Sequence, residues 1–389
     1  MLRNSRPVSR WAIVCAALLI ASVAAAQARV EARRIRVEDP SGVALAAFHR
    51  ALARTGEGRA RATIWGASHV ASDQYPGFLR EALQRRHGDG GPGFVLPAMP
   101  FSLYAHRGVR VAPAGGWRAV RVRGRHRAPD AYGPFGVALD ASGAARARAE
   151  LVRGTVDRAV VYFMRQPGGG TLEIAVQPGG ERRRIDTSGA RGAETLELRG
   201  AIRALELRAM GDGPVRLFGV SLERERGVIV DSLGIPGSRL GDRLPWDDAL
   251  LGPQIDALAP DLIVLAYGTN ESGGGRPLAR VRRDADQAIR RARALAPDAS
   301  CLVIGPSDWP DRAAGGGWVP RARTMQIVEL QRELAARHGC GFFDLVALQG
   351  GPGSMPRWVE ADLALDDHVH FTDEGHRIIA RILSRALMP

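Results

Sequence analysis

The chain has 389 residues, 45% of them hydrophobic, which is enough to bury a full core and to form two structural modules. Its formal net charge is +13, and because it contains no lysine, all 54 basic residues are arginines. Acidic residues are interleaved with them along the whole chain, so the charge does not indicate a nucleic-acid partner. Attraction to anionic cell-wall polymers is the weaker electrostatic expectation that remains.

Residues 1–28 differ from the rest of the chain. Arg3, Arg6 and Arg10 precede an apolar stretch over residues 11–23, and small residues follow it. This is the order of a secretory signal with its cleavage region, so we predict a signal peptide at 1–28 and export to the bacterial periplasm or exterior. The alternative is an uncleaved membrane anchor, which also places the remainder outside the cytoplasm. No later stretch approaches the roughly 18 apolar residues of a membrane span.

Two cysteines lie outside the predicted signal, which contains Cys15. Cys301 and Cys340 each stand at the start of an apolar run. If those runs are neighbouring parallel strands, about 4.8 Å apart, the two sulfurs meet at one end of the sheet. In an oxidising compartment this predicts a disulfide, and the alternative is a pair of buried thiols.

Helical and strand patterns alternate in two separate parts of the chain. Helical spacing is predicted over residues 43–55, 75–86, 277–296, 320–338 and 374–387. Apolar strand runs are predicted over residues 62–65, 228–230, 262–266, 302–304 and 341–345. Such alternation favours a parallel sheet that is covered by helices on both faces.

Residues 108–226 have a different character. Short runs of alternating polarity occur at 160–164, 172–176, 205–207 and 215–220, separated by Gly-rich turns. This patterning predicts an antiparallel β-sandwich. We therefore predict a discontinuous α/β domain, formed by residues 29–107 and 227–389, with the β-sandwich inserted between its two parts.

Candidate catalytic residues stand just past the predicted strands. Ser68, Gly237 and Asn270 each follow a strand by a few residues, so they should converge where the carboxyl ends of parallel strands open into a crevice. A serine hydroxyl becomes nucleophilic when an imidazole held by a carboxylate takes its proton, which assigns His370 as the base and Asp367 as its orienting group. The backbone N–H groups of Ser68 and Gly237 and the Asn270 amide are the candidate oxyanion donors. This acyl-transfer site requires neither metal nor organic cofactor.

Each residue also has a simpler interpretation. Ser68 alone is more often a helix cap, Asn270 a turn residue, and Gly237 a position that needs positive φ. His368 and His370 could together be two zinc ligands, but the sequence offers no third well-placed ligand and no His-Glu-x-x-His pattern. The occurrence of all the elements in order, each at an element boundary, favours the acyl-transfer site.

Four short blocks resemble those of the SGNH (GDSL-like) hydrolase superfamily. In chain order they are Gly66-Ala67-Ser68-His69, Gly234-Ile235-Pro236-Gly237, Gly268-Thr269-Asn270-Glu271 and Asp367-His368-Val369-His370. The resemblance implies a three-layer α/β/α sandwich with a doubly wound, flavodoxin-like parallel sheet. It also implies the catalytic and oxyanion roles argued above for these residues.

Three further stretches are similar to the branch of bacterial peptidoglycan O-acetylesterases, at residues 86–94, 350–355 and 370–375. Members of that branch carry an inserted β-domain that resembles a carbohydrate-binding module, in the position predicted here. Two residues depart from the family pattern, because Ala67 and Glu271 stand where the family usually has Asp. We expect these departures to alter loop packing before activity.

The sequence therefore predicts an exported serine esterase that removes O-acetyl groups from a polysaccharide, with peptidoglycan as one candidate, through an acyl-enzyme on Ser68. The alternatives are a polysaccharide O-acyltransferase with the same triad, a long-chain lipase, and a catalytically silent glycan-binding protein. Aromatic side chains with a candidate role in sugar stacking are Trp117, Tyr132, Tyr162 and Trp309, although such residues are more often core. The acyl chain, the sugar and the oligomeric state stay open.

Overall fold

A computed structural model of the chain describes residues 23–113, 115–123 and 131–389. Most of the predicted signal peptide, residues 1–22, lies outside the described residues. Residues 23–31 are helical, and Val30 packs into the core of the α/β domain. Within the described ranges, no helix combines the length and the apolar character that crossing a membrane requires.

The strands, in chain order, are β1 (Arg59–Gly66), β2 (Gly93–Val95), β3 (Val109–Val111), β4 (Arg118–Arg121), β5 (Val137–Ala141), β6 (Ala145–Leu151), β7 (Val156–Arg165), β8 (Thr171–Gln177), β9 (Arg182–Asp186), β10 (Gly192–Ile202), β11 (Ala204–Ala209), β12 (Val215–Glu223), β13 (Gly227–Gly234), β14 (Leu262–Ala266), β15 (Ser300–Ile304), β16 (Asp311–Arg312), β17 (Trp318–Val319) and β18 (Gly341–Phe343). The α-helices that follow residues 23–31 are α1 (Ala46–Ala53), α2 (Tyr75–His87), α3 (Asp248–Leu258), α4 (Thr269–Ser272), α5 (Leu278–Leu295), α6 (Ala322–Arg337), α7 (Leu345–Gln349), α8 (Met355–Glu360) and α9 (Asp373–Ala386). Two 3₁₀ turns span Ala71–Asp73 and Leu240–Arg243.

The central sheet is parallel, with the strand order β13-β1-β14-β15-β18. Of these five strands, β13 is the second in chain order and lies outside the first, β1, which is the flavodoxin-like order of a doubly wound sheet. Helices α1, α2 and α9 pack on one face, and α3, α5 and α6 pack on the other. The predicted three-layer α/β/α sandwich is therefore confirmed.

The inserted segment forms the predicted antiparallel β-sandwich. One sheet has the order β10-β7-β12-β5-β4, with β2 also paired to β12, and the other has the order β3-β6-β11-β8-β9. Alternate side chains from the two sheets form a separate core, which includes Leu139, Phe163, Leu172, Leu207 and Leu217. The boundaries at residues 108 and 226 stay predictions, and β2 shows that the sandwich also pairs with a strand that precedes residue 108.

The sandwich and the α/β domain share a continuous interior. Phe94 and Phe218 of the sandwich sheet belong to the same apolar cluster as Trp65 on β1. A buried ion pair crosses the junction, because the Arg61 guanidinium on β1 contacts the Glu223 carboxylate on β12. Removing one partner of such a buried pair would leave an uncompensated charge in the interior.

The aromatic side chains considered for sugar stacking are mostly interior. Trp117, Tyr132 and Tyr162 are 4%, 2% and 0% exposed, so the structure places them in the core. The partly buried Trp309 is described below with the loop that carries it.

The predicted disulfide is confirmed. Cys301 on β15 and Cys340, just before β18, are bonded, with their Cα atoms 4.5 Å apart. The bond lies at the amino ends of the two strands. It therefore braces the sheet at the end opposite the crevice.

Candidate active site

The candidate residues lie at the carboxyl ends of three adjacent strands, β13, β1 and β14. Ser68 follows β1 by two residues, at the turn that leads through a 3₁₀ segment into α2. A Cβ atom at Gly66 would lie 2.3 Å from the Val70 side chain, so this turn requires glycine at the end of the strand. The backbone thus presents Ser68 at the crevice in the centre of the sheet.

Ser68, His370 and Asp367 form one chain of hydrogen bonds. The Oγ atom of Ser68 lies 3.0 Å from Nε2 of His370, and Nδ1 of the same ring lies 2.6 Å from Oδ2 of Asp367. Both distances are within the reach that proton transfer to a base and orientation of that base require. The structure therefore brings these three residues together across 302 positions of sequence.

The backbone of the residues two and three positions after Asp367 holds its carboxylate in place. Its Oδ1 atom accepts hydrogen bonds from the N–H groups of Val369 and His370, both at 2.9 Å. Partial burial by itself would raise the pKa of Asp367, but the hydrogen bonds from His370 and from these two N–H groups outweigh it, and the pKa is lowered. An ionised Asp367 holds the proton of His370 on Nδ1, which leaves Nε2 free to accept the hydroxyl proton of Ser68.

His69, the residue after Ser68, also supports the site. Its Nε2 atom lies 2.9 Å from the carbonyl oxygen of Val369, and its ring meets the His370 ring edge-on at 5.6 Å between centroids. Burial, followed by the proximity of His370, lowers the pKa of His69 to about 4. At neutral pH His69 is therefore an uncharged donor that holds the loop of the base. His69 belongs to the first motif block, and its role is not evident from the sequence.

The backbone N–H groups of Ser68 and Gly237 are the candidate oxyanion donors at the crevice. Within the described ranges, neither the N–H of Ser68 nor that of Gly237 donates to a protein acceptor. Gly237 has φ +73°, a conformation that glycine adopts without strain. The side-chain amide of Asn270 donates to the carbonyl of Ser238 at 2.9 Å, which leaves its second N–H available. Asn270 is thus tied to the loop that contains Gly237.

Glu271 joins the second and third blocks. One oxygen of its buried carboxylate accepts the N–H of Leu240 at 2.8 Å, and the other accepts the N–H of Gly268 at 3.0 Å. Burial raises the pKa of Glu271 against the lowering effect of these bonds. The departure from the family pattern at position 271 therefore has a structural consequence, because this longer side chain reaches both loops.

The histidines proposed as alternative zinc ligands are engaged otherwise. His368 stacks on Trp318 with ring centroids 3.9 Å apart, whereas the His370 ring bridges Ser68 and Asp367. In the ranges that the structure describes, no group of three or more His, Cys, Asp or Glu side chains is arranged to hold a metal ion. The geometry supports nucleophilic chemistry at Ser68.

A known protein family matches the part of the chain that contains most of the candidate residues. Residues 208–378 match the GDSL-like lipase/acylhydrolase family, a region that contains Gly237, Asn270, Asp367 and His370. Ser68 precedes the matched region because the β-sandwich separates the first block from the others. No curated protein sequence matches the chain significantly.

The solved structure of a peptidoglycan O-acetylesterase shows the same architecture. It superposes with a TM-score of 0.76 at 23% sequence identity, covering 90% of this chain and 96% of the other. A family two carbohydrate esterase from Cellvibrio japonicus has a TM-score of 0.27 at 12% identity, covering 72% of this chain and 97% of the other, and is too distant to support an inference. Because the first likeness covers 90% of this chain, it extends to the β insert. The chain is therefore similar to GDSL-like lipases and acylhydrolases over residues 208–378, and it shares its fold with a peptidoglycan O-acetylesterase.

Proposed function

We propose that this protein is an exported esterase that removes O-acetyl groups from a polysaccharide of the cell envelope, through an acyl-enzyme on Ser68. The observation that carries the proposal is the hydrogen-bonded chain from Ser68 through His370 to Asp367, beside the N–H groups of Ser68 and Gly237, which have no acceptor among the described residues. Peptidoglycan is the favoured polysaccharide, since a peptidoglycan O-acetylesterase shares the fold over 90% of this chain.

The reaction begins at the acetyl carbonyl. Ser68 Oγ attacks the carbonyl carbon while His370 Nε2 takes the hydroxyl proton, and Asp367 stabilises the resulting imidazolium. Negative charge develops on the carbonyl oxygen, where the N–H groups of Ser68 and Gly237 and the free amide N–H of Asn270 would donate. Loss of one such donor typically slows catalysis by about 10² to 10³.

The tetrahedral intermediate then collapses. The bond to the sugar oxygen breaks as His370 returns its proton to that oxygen, and the sugar leaves with a free hydroxyl group. Water, deprotonated by the same imidazole, attacks the acetyl-enzyme and releases acetate and Ser68. Each proton taken by His370 is thus given back, and no further reactant is consumed.

Acetate release from an acetylated glycan tests the proposal. Wild type should release acetate, and Ser68→Ala should not, whereas Ser142→Ala, at an exposed turn of the β-sandwich, should match wild type. A serine-directed phosphonate should add one mass increment on the Ser68 peptide. Equal acetate release by wild type and Ser68→Ala would exclude the proposal. Transfer of the acetyl group to an added saccharide would instead identify an acyltransferase with the same triad.

A further inference from the structure

The loop after β15, residues 305–320, forms a wall of the crevice that the proposed reaction does not use. Strand β15 neighbours β14, so this loop leaves the sheet beside Asn270. Its first part is bonded to that neighbour, because Ser307 Oγ lies 3.2 Å from Thr269 Oγ1 and the Ser307 N–H donates to the same oxygen. The loop therefore borders the oxyanion side of the candidate site.

The base of the loop is rigidly held. The buried carboxylate of Asp308 accepts the N–H groups of Gly353 at 3.2 Å and of Met355 at 2.9 Å. Gly353 and Met355 belong to the Gly-rich stretch 350–355, one of the stretches that resemble the O-acetylesterase branch. On the far side of the loop, Asp311 pairs with Arg321 at 2.7 Å, and the Arg321 guanidinium lies 4.5 Å above the Trp309 ring. Trp309 is thus partly covered by an arginine whose charge is neutralised.

The hairpin β16–β17 lies in the second half of this loop and contacts the segment that carries the catalytic base, His370. Arg312 and Trp318 are cross-strand partners, so their side chains share one face of the hairpin. The Trp318 indole stacks on His368, two residues before His370, with centroids 3.9 Å apart and 29° between the ring planes. The Arg312 guanidinium covers the indole at 3.8 Å from the ring centroid. With both contacts made, Trp318 acts as a support for Arg312 and is not free to stack on a sugar.

Arg312 carries a charge that has no acidic partner among the residues the structure describes. It is exposed, and across the described ranges no carboxylate pairs with it, in contrast to Arg321 nearby. A planar guanidinium that is already held by stacking loses little conformational freedom on binding, and its fork of N–H donors matches a carboxylate. Stacking on an indole is also a favourable position for a cation.

We propose that Arg312, held on the Trp318–His368 stack, binds a carboxylate of the acetylated saccharide, so that the enzyme prefers acidic glycans to neutral ones. This inference rests on the proposed esterase function and adds the substrate class. Because the contact binds substrate away from the reacting carbonyl, it should act on KM more than on kcat.

A matched pair of substrates tests the inference. Both are the same O-acetylated saccharide, one with a free carboxylate and the other with that carboxylate converted to the primary amide. Wild type should have a KM about three- to tenfold lower for the carboxylate form, since one partly exposed charge-assisted contact is involved. In Arg312→Gln the two KM values should become equal, and Arg312→Lys, which keeps the charge but loses the planar fork, should lie between.

Two controls separate the possible failures. Arg86→Gln removes the same charge in the last turn of α2, near the amino end of β13 and away from the crevice, and should retain the wild-type preference. Added salt should reduce the preference in wild type and leave Arg312→Gln unaffected. An equal KM ratio in wild type and Arg312→Gln would overturn the carboxylate site. Failure of wild type to release acetate from either substrate would instead overturn the proposed esterase function.

Discussion

The Nε2 atom of His69 lies 2.9 Å from the carbonyl oxygen of Val369, so the residue after Ser68 holds the residue before His370. This contact joins the first and last blocks beside the reacting atoms. Because burial keeps His69 uncharged at neutral pH, its ring can serve as a hydrogen-bond donor without adding a charge next to His370.

His69 is therefore a positioning residue. In His69→Phe the ring volume remains but the donor is lost, and kcat for an acetyl ester should fall about tenfold with little change in KM, since the His370 loop is less well placed. In His69→Gln the side-chain amide can donate to Val369, and most of kcat should return. Steady-state kinetics of the three proteins checks this. Equal kcat values for the Phe and Gln variants would show that the hydrogen bond has no role.

Asp367→Asn should lower kcat by about 10³ to 10⁴ with the fold intact, because an amide in place of the carboxylate no longer holds the proton of His370 on Nδ1. The control is Asp366→Asn, which alters the adjacent exposed carboxylate and should retain full activity. Rates of labelling by a serine-directed phosphonate should fall in parallel with kcat. If both variants lost activity equally, general electrostatics of the loop and not the Asp367–His370 contact would be responsible.

Glu271→Gln should lower the free energy of unfolding by about 1–3 kcal/mol, because an amide NH₂ would face a backbone N–H that now donates to a carboxylate oxygen. Glu271→Asp is one methylene shorter and should fail to reach both loops. Since the same loops carry Asn270 and Gly237, kcat should fall about tenfold in each variant. Denaturant unfolding and kinetics are measured together, with Glu360→Gln on the exposed end of α8 as the control. Unchanged stability and kcat in Glu271→Gln would contradict this.

Stability should fall as the pH decreases from about 6.5 toward 4. Burial lowers the pKa of His69 and of His106 to about 4, and lowers that of His376 well below its usual value of 6.5. Each of these residues binds fewer protons when folded, so unfolding takes up protons in this range and the free energy of unfolding rises with pH. The slope is about 1.4 kcal/mol per pH unit for each proton.

His106, which lies outside the candidate site, provides the test. Its Nδ1 atom accepts a hydrogen bond from the N–H of Gly108. The side-chain oxygen of an asparagine at position 106 can accept the same hydrogen bond. The pH slope of the free energy of unfolding in His106→Asn should be smaller by about one proton near pH 5, and the slopes should coincide above pH 7.5. Identical slopes at pH 5 would mean that His106 is protonated in the folded protein.

Much of the architecture could be predicted from local pattern. Parallel strands buried on both faces produce continuous apolar runs such as Leu262–Ala266, and the residues that follow such runs must meet at one edge of the sheet. Ser68, Gly237 and Asn270 follow such runs, and the structure brings Ser68 together with His370 and Asp367. Helix α3 was not predicted, because Gly252 and Pro253 interrupt its helical signal and tertiary packing overrides their low propensity.

The sequence by itself determined the order of the elements, the two cysteines that face each other and the residue types of the triad, since these depend on spacing and side-chain chemistry. Only the tertiary structure decided which side chains support them. Contacts such as His69 with Val369, Glu271 with two loops, and Trp318 with His368 join segments far apart in the chain. Neither periodicity nor propensity specifies such pairs, because their partners are set by how the strands are ordered in the sheet.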